Sequence, residues 1–166
     1  MLWIYFDASA LIKRFMVETG TDQINVVFQH IPTSQMACSK LGILEIVSVL
    51  IRKKNDRRLS QSLFEQAMIE FRAAVIDDPD FAIVPVHDAL LSSALQLITA
   101  HNLNATDAII LRSAIELHEA LVPEGHSLIL CAADKRLVRA ARAEGLVAYD
   151  PEQETVQDFR RLLTNQ

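Results

Sequence analysis

The chain has 166 residues, 51% of them apolar and 22% charged, which fits one soluble domain with a substantial core. Sixteen Lys and Arg against 21 Asp and Glu leave a net charge of −5, which argues against a protein that grips nucleic acid by bulk charge alone. Apolar runs fall short of the roughly 18 residues that span a bilayer and no basic region precedes the first of them, so the expected setting is the cytoplasm, without a membrane.

Five apolar residues, Leu2 to Phe6, are rich in aromatic and β-branched side chains and predict a short buried strand. The run stops on Asp7, and Ala8, Ala10, Leu11 and Ile12 suit a helix that starts at once. A carboxylate at a strand-to-helix turn is well placed for chemistry, because ligands bind beyond the carboxyl ends of parallel strands. Asp is equally a good helix cap, and on this stretch alone the cap is the slightly stronger reading.

Thr19 to Asp22 reads as a turn, Gln23 to His30 as a helix, Ile31 to Ser34 as a break and Gln35 to Cys38 as a short strand. Ser39 then caps a long helix, Lys40 to Lys54. Its apolar residues cover nearly the whole circumference and predict a mostly buried helix. Glu45 stands in its middle. A buried carboxylate needs a partner or becomes protonated, so Glu45 is either half of a buried ion pair or a site residue.

The run Arg52 to Arg58 closes this helix. It complements the helix dipole and is the strongest basic patch in the chain. Ser60 to Ile76 reads as a second amphipathic helix, ended by Asp77 to Asp80. Phe81 to Val86 is a third strand, His87 to Ala100 a helix and His101 to Ala105 a polar link. Thr106-Asp107 opens another apolar helix, Ala108 to Ile115, and an acid in a first helical turn is favoured by the dipole whatever its function. Ser127 to Asp134 repeats the opening pattern, an apolar strand ending on an acid. A helix from Lys135 to Glu144 follows, with Gly145 as its stop. Leu146 to Tyr149 is a last strand, ended by Asp150-Pro151, and Thr155 to Leu163 a final helix. No linker or repeat interrupts the alternation. The expected fold is α/β, one domain over 1–166, with a mainly parallel central sheet wrapped by helices.

Four glycines, none in a GxxxxGK or GxGxxG pattern, argue against a nucleotide-cradling loop. Cys38 and Cys131 are single, no CxxC occurs, and the five histidines are scattered, which argues against zinc. The acids tell more. Asp7 and Asp134 end strands, Asp107 begins a helix and Glu45 interrupts an apolar one. In a parallel sheet all four can meet along one edge. Oxygen ligands without His or Cys suit Mg²⁺ or Mn²⁺.

Four stretches, in this order, resemble the PIN-domain nucleases, and within them the VapC-like toxins of toxin–antitoxin pairs. They are Tyr5 to Arg14, Ser39 to Ile46, Asn104 to Leu111 and Ala133 to Leu137. The resemblance implies a three-layer α/β/α fold and an endoribonuclease dependent on Mg²⁺ or Mn²⁺. Asp7, Glu45, Asp107 and Asp134 would hold the metal, and a metal-activated water would attack the phosphodiester. It further implies Ser9 and Thr106 as hydrogen-bonding support. Arg14, Arg52, Lys53, Arg57 and Arg58 are the expected RNA contacts. RNA, a small antitoxin and a second copy of the chain are the expected partners. A housekeeping RNA-processing nuclease is the alternative within the family. An aspartyl-phosphate enzyme is the alternative outside it, weakened by Ser9 where that chemistry places a second Asp.

Overall fold

The apolar run Leu2–Phe6 forms β1, the central strand of the computed structural model, which describes residues 1–164. The other strands are β2 (Met36–Ser39), β3 (Ala82–Val84), β4 (Ser127–Cys131) and β5 (Val147–Tyr149). They form one sheet in the order β3-β2-β1-β4-β5, and every pairing is parallel. Phe6 lies in register with Cys38 of β2 and Cys131 of β4, so the residues that follow these three strands leave the sheet side by side.

The helices are α1 (Ala8–Leu11), α2 (Thr21–His30), α3 (Lys40–Asn55), α4 (Gln61–Phe71), α5 (Asp88–His101), α6 (Ala105–Leu121), α7 (Lys135–Ala143) and α8 (Val156–Thr164). The two-residue period of β1 sends Ile4 and Phe6 to one face and Tyr5 to the other. On the first face they meet Ile24 and Val27 of α2, Ile46 and Leu50 of α3, Phe71 of α4 and Phe159 of α8. On the second, Tyr5 meets Leu97 of α5, Leu111 and Ala114 of α6, and Leu137 of α7. The result is the three-layer α/β/α arrangement. Each fully buried Leu, Ile or Phe contributes about 1.5–3 kcal/mol. Across the second core the Tyr5 hydroxyl donates to Ser113 Oγ at 2.7 Å, which keeps a buried phenol from going unpaired.

Several boundaries differ from the sequence expectation, each for a local reason. The helix α2 begins at Thr21, inside the predicted turn, because Gly20 adopts φ 91° and turns the chain directly into it. A Cβ at Gly20 would lie 2.9 Å from the Pro151 carbonyl oxygen, so this glycine also lets the loop after β5 approach closely. The strand β3 has three residues instead of six, since Pro85 has no N–H to offer a neighbour. After α4, residues Arg72–Ile76 widen into a π-turn, so Ser60 to Ile76 is not one uniform helix.

The expectation for α3 fails more substantially. It is not mostly buried: only Gly42, Ile46 and Leu50 are, one residue per turn, while Leu44 is 65% and Ile51 41% exposed. One stripe suffices to seal the sheet, and the apolar residues on the other side face solvent. The helix α6 starts at Ala105, one residue before the expected Thr106-Asp107 opening, is capped by Asn104, and runs on to Leu121. Among the described residues no helix is long and apolar enough to cross a membrane.

Candidate active site

The four acids reach one place by four routes. Asp7 follows β1, and its backbone N–H donates to the Cys131 carbonyl at 2.9 Å, extending the β1–β4 pairing by one residue. Its carboxylate caps α1, with Oδ2 accepting from Ser9 N at 2.9 Å. The Ser9 hydroxyl donates to the same oxygen and accepts from Ala133 N at 2.9 Å, so one side chain joins the turns after β1 and β4. Asp134 caps α7, its Oδ1 accepting from Arg136 N at 2.7 Å and Leu137 N at 3.1 Å. Asp107 stands in the first turn of α6, where Asn104 Nδ2 donates to its Oδ2 at 2.8 Å. Glu45 projects from the middle of α3 and has no hydrogen bond or ion pair among the described residues. For Asp7 and Asp134 the cap and the site are thus the same carboxylate.

All four acids, with Ser9 and Lys13, line one cavity of about 360 Å³. Their charges act on one another. Burial raises the Glu45 carboxyl to about 7, helped by Asp7 and Asp107 and opposed by Arg52. Burial likewise raises Asp107 to about 6, with Asp134 and Asp7 adding to it and Arg136 opposing. Asp7 is also raised, chiefly by burial, against the pull of its bonds to Ser9. None of the four acids forms an ion pair among the described residues, so Asp7, Glu45 and Asp107 are ionised at a cost set by burial and by neighbouring acids.

Among the described residues no three such groups close around one point as they stand. The donor set is nevertheless uniform: six carboxylates, of which Glu18 and Glu152 are bound by Lys13, and the Ser9 hydroxyl, with no His or Cys on the wall. Hard divalent cations take oxygen ligands of this kind, and a cation would relieve the repulsion that raises Glu45 and Asp107. By donor type and by charge, Asp7, Glu45, Asp107 and Asp134 can hold one.

The cavity wall also carries residues that the sequence did not single out. Lys13 is 2% exposed, and its Nζ contacts Glu152 Oε1 at 2.5 Å and Glu18 Oε1 at 3.1 Å. Burial opposes its charge, but these two partners outweigh it and its pKa is raised. Behind the wall, Lys53 Nζ lies 2.6 Å from Glu18 Oε2, which completes a chain of alternating charges. The signal in the sequence was a cation directly after Ala10, Leu11 and Ile12, on the side of the chain that the sheet covers.

The other predicted residues are dispersed. Thr106 is half-buried and does not line the cavity; Asn104 makes the bond to Asp107 expected of it. Lys53 is held by Glu18, and Arg52 is near enough to act on Glu45. Arg14 bonds Asn25 Oδ1 at 2.7 Å and lies over Phe28. Arg14 and Arg58 line a different and larger cavity, of about 410 Å³. Arg57 is exposed in the turn after α3, at φ 59°.

Solved structures of similar fold exist at low identity. A toxin–antitoxin complex from Klebsiella pneumoniae is 20% identical, with TM-score 0.57, covering 89% of this chain and 97% of that one. PAE2754 from Pyrobaculum aerophilum is 18% identical, with TM-score 0.58, covering 99% and 97%. FitAcB from Neisseria gonorrhoeae is 14% identical, with TM-score 0.60, covering 91% and 99%. At such identities the likeness shows the fold. No curated protein matches by sequence. The model of the PIN domain does match, over residues 4–143, a span that begins within β1, ends with α7 and includes all four acids. The chain belongs to the PIN domain family.

Proposed function

We propose that this PIN domain is an endoribonuclease dependent on Mg²⁺ or Mn²⁺, and the toxin of a toxin–antitoxin pair. The family is one of nucleases. The observation that carries the reading is the cavity itself: four carboxylates from four elements, none paired with a cation among the described residues.

When bound, a divalent ion supplies an acidified water and a Lewis acid for the phosphate. The chain supplies the rest. Asp7 and Asp134 are fixed by their capping bonds, and Ser9 holds the Asp7 carboxylate toward the turn after β4. Asn104 orients Asp107 from below. Glu45, which no neighbour bonds, is free to turn toward ion or water. Lys13, held between Glu18 and Glu152, ties the loop after β5 to the wall of the cavity.

The toxin reading is supported by the Klebsiella pneumoniae neighbour, a toxin–antitoxin complex. It is supported also by the apolar side chains left outside: Leu44 and Ile51 on α3, Leu63 and Ile69 on α4. Such a surface suits an amphipathic partner helix or a second copy of the chain. A guanidinium from the partner would pair with the crowded carboxylates. The protein would then act in the cytoplasm, where its RNA substrate lies.

The test is cleavage of RNA by the purified chain in Mn²⁺, beside Asp7→Asn and beside excess chelator, with inducible expression of both forms in a host lacking any antitoxin. Wild type should cut and arrest growth, and Asp7→Asn should do neither. No cleavage with any divalent ion overturns the nuclease. Cleavage with equal growth of both strains overturns the toxin and leaves a housekeeping nuclease.

A further inference from the structure

The cations of this acidic chain are unevenly engaged. Many face an acid: Lys13 and Lys53 meet Glu18, Arg72 meets Asp77, Arg112 meets Glu116, and Arg142 meets Glu154. On α7, Lys135, Arg136 and Arg139 are exposed and form no ion pair among the described residues. This helix buries Leu137, Val138, Ala140 and Ala141 in the second core. Its charged side chains therefore share the outward side.

That side adjoins the acidic cavity. Asp134, the cap of α7, lines the cavity, and Lys135 is the next residue. A separate groove of about 380 Å³ begins there, walled by Lys135, Val138, Arg139 and Arg142 and by the loop after β5. The same loop places Glu152 in the wall of the acidic cavity, against Lys13. The two depressions thus share the first turn of α7 and this loop as their common border. The acids of the groove are already committed. Glu154 accepts from Arg142 at 3.0 Å and from Asp150 N at 2.7 Å, and Asp150, buried, accepts from Glu152 N at 2.9 Å. What remains for a ligand is positive.

We infer that this groove carries the backbone of single-stranded RNA on one side of the scissile phosphate, with Lys135 and Arg139 as phosphate contacts. The inference rests on the nuclease reading of the acidic cavity. A chain of net charge −5 repels a polyanion at long range, so a local cationic track must offset that repulsion. Lys135 and Arg139 stand one i,i+4 step apart, about 6 Å along the helix, a separation that lets each meet its own phosphate on an extended strand. Arg139 adds a planar fork that matches phosphate oxygens. An acidic protein segment would feel the same charges, but Val138 is the one apolar residue in the groove lining, too little to anchor a peptide. The basic run after α3 is less well placed, because Lys53 is held by Glu18 and Arg58 lines the other cavity.

The test uses the whole chain, the double variant Lys135→Ala/Arg139→Ala, and a fluorescein-labelled 20-nucleotide RNA of random sequence in chelator, titrated by anisotropy at several salt concentrations. The variant should bind at least ~10-fold more weakly at low salt, and its salt slope should fall by about 1.4, the loss of two single-strand phosphate contacts. Its affinity for Mn²⁺ by calorimetry and its Tm should be those of wild type. Arg160→Ala/Arg161→Ala on α8, which removes the same charge, should leave binding unchanged. If wild type cuts RNA yet the α7 variant keeps wild-type affinity and slope, the track is wrong and the nuclease stands. Loss of an acidic protein partner with RNA binding intact assigns the surface to protein instead, and equal weakening by the α8 variant reduces the effect to bulk charge; either overturns the track. A wild type that neither binds nor cuts RNA overturns the nuclease reading itself.

Discussion

Glu45 and Asp107 share one neighbour, Asp7, whose charge adds to the effect of burial on both. Burial, with Asp7 and Asp107 adding to it, raises Glu45 from 4.5 to about 7, and burial, with Asp134 and Asp7 adding to it, raises Asp107 from 3.8 to about 6. Between pH 4 and 7, then, these two groups hold more protons in the folded chain than in the unfolded one, and their contribution to stability falls as pH rises. A shift like that of Glu45 corresponds to about 3 kcal/mol in full, and half-exposure to solvent reduces the expected effect to about 1 kcal/mol. Metal-free protein should therefore lose about 3 °C of Tm between pH 5 and 7.5. Glu45→Gln should remove most of this slope, and Asp107→Asn part of it, while both abolish metal-dependent cleavage. Saturating Mn²⁺ should flatten the wild-type curve. Scanning calorimetry across that pH range decides it: a slope unchanged in Glu45→Gln would mean that Glu45 is not crowded.

At the scale of elements, each acid depends on how its helix or strand begins. The cap of α6 is Asn104, which both receives the Asp107 N–H and donates to the Asp107 carboxylate. Asn104→Ala should cost about 1 kcal/mol and lower kcat as well, because Asp107 loses its orienting bond. Thr106→Ala should change kcat less, and steady-state kinetics beside urea unfolding separates the two; equal kcat losses would restore the role first expected of Thr106. The strands and their terminal acids were legible in the sequence because an apolar run that stops on Asp is a local signal. Glu45 was legible because an acid inside an apolar run is conspicuous. What could not be read is set by packing between distant segments. The exposure of Leu44 and Ile51 depends on which stripe of α3 the sheet takes. The burial of Lys13 depends on Glu152, 139 residues away along the chain. The basic side of α7 was passed over for the longer run after α3, since charge density alone does not say which cations already have partners.

For the molecule as a whole, the parallel sheet decides where chemistry can occur. Strands that all run one way deliver their ends to one edge, and the order β3-β2-β1-β4-β5 places β1, with Asp7, between the strands that lead to Ser39 and Asp134. The family assignment, to a family of nucleases, favours hydrolysis over the aspartyl-phosphate alternative, and the metal-assisted form of it proposed above is what the crowded carboxylates would serve. The same strand order has a consequence during synthesis. Of the five strands the first made is the central one, and its partner β4 follows some 125 residues later. On the ribosome, β1 waits for that partner while the intervening residues are made, and Asp134 cannot join Asp7 until the β4 strand has left the exit tunnel. Under the proposed function, a nascent chain therefore cannot assemble the four-acid site until α7 has been made and has emerged. Stalled chains that end before β4 should show no nuclease activity and no protection of β1 from proteolysis, whereas chains stalled beyond α8 with the tunnel cleared should show both.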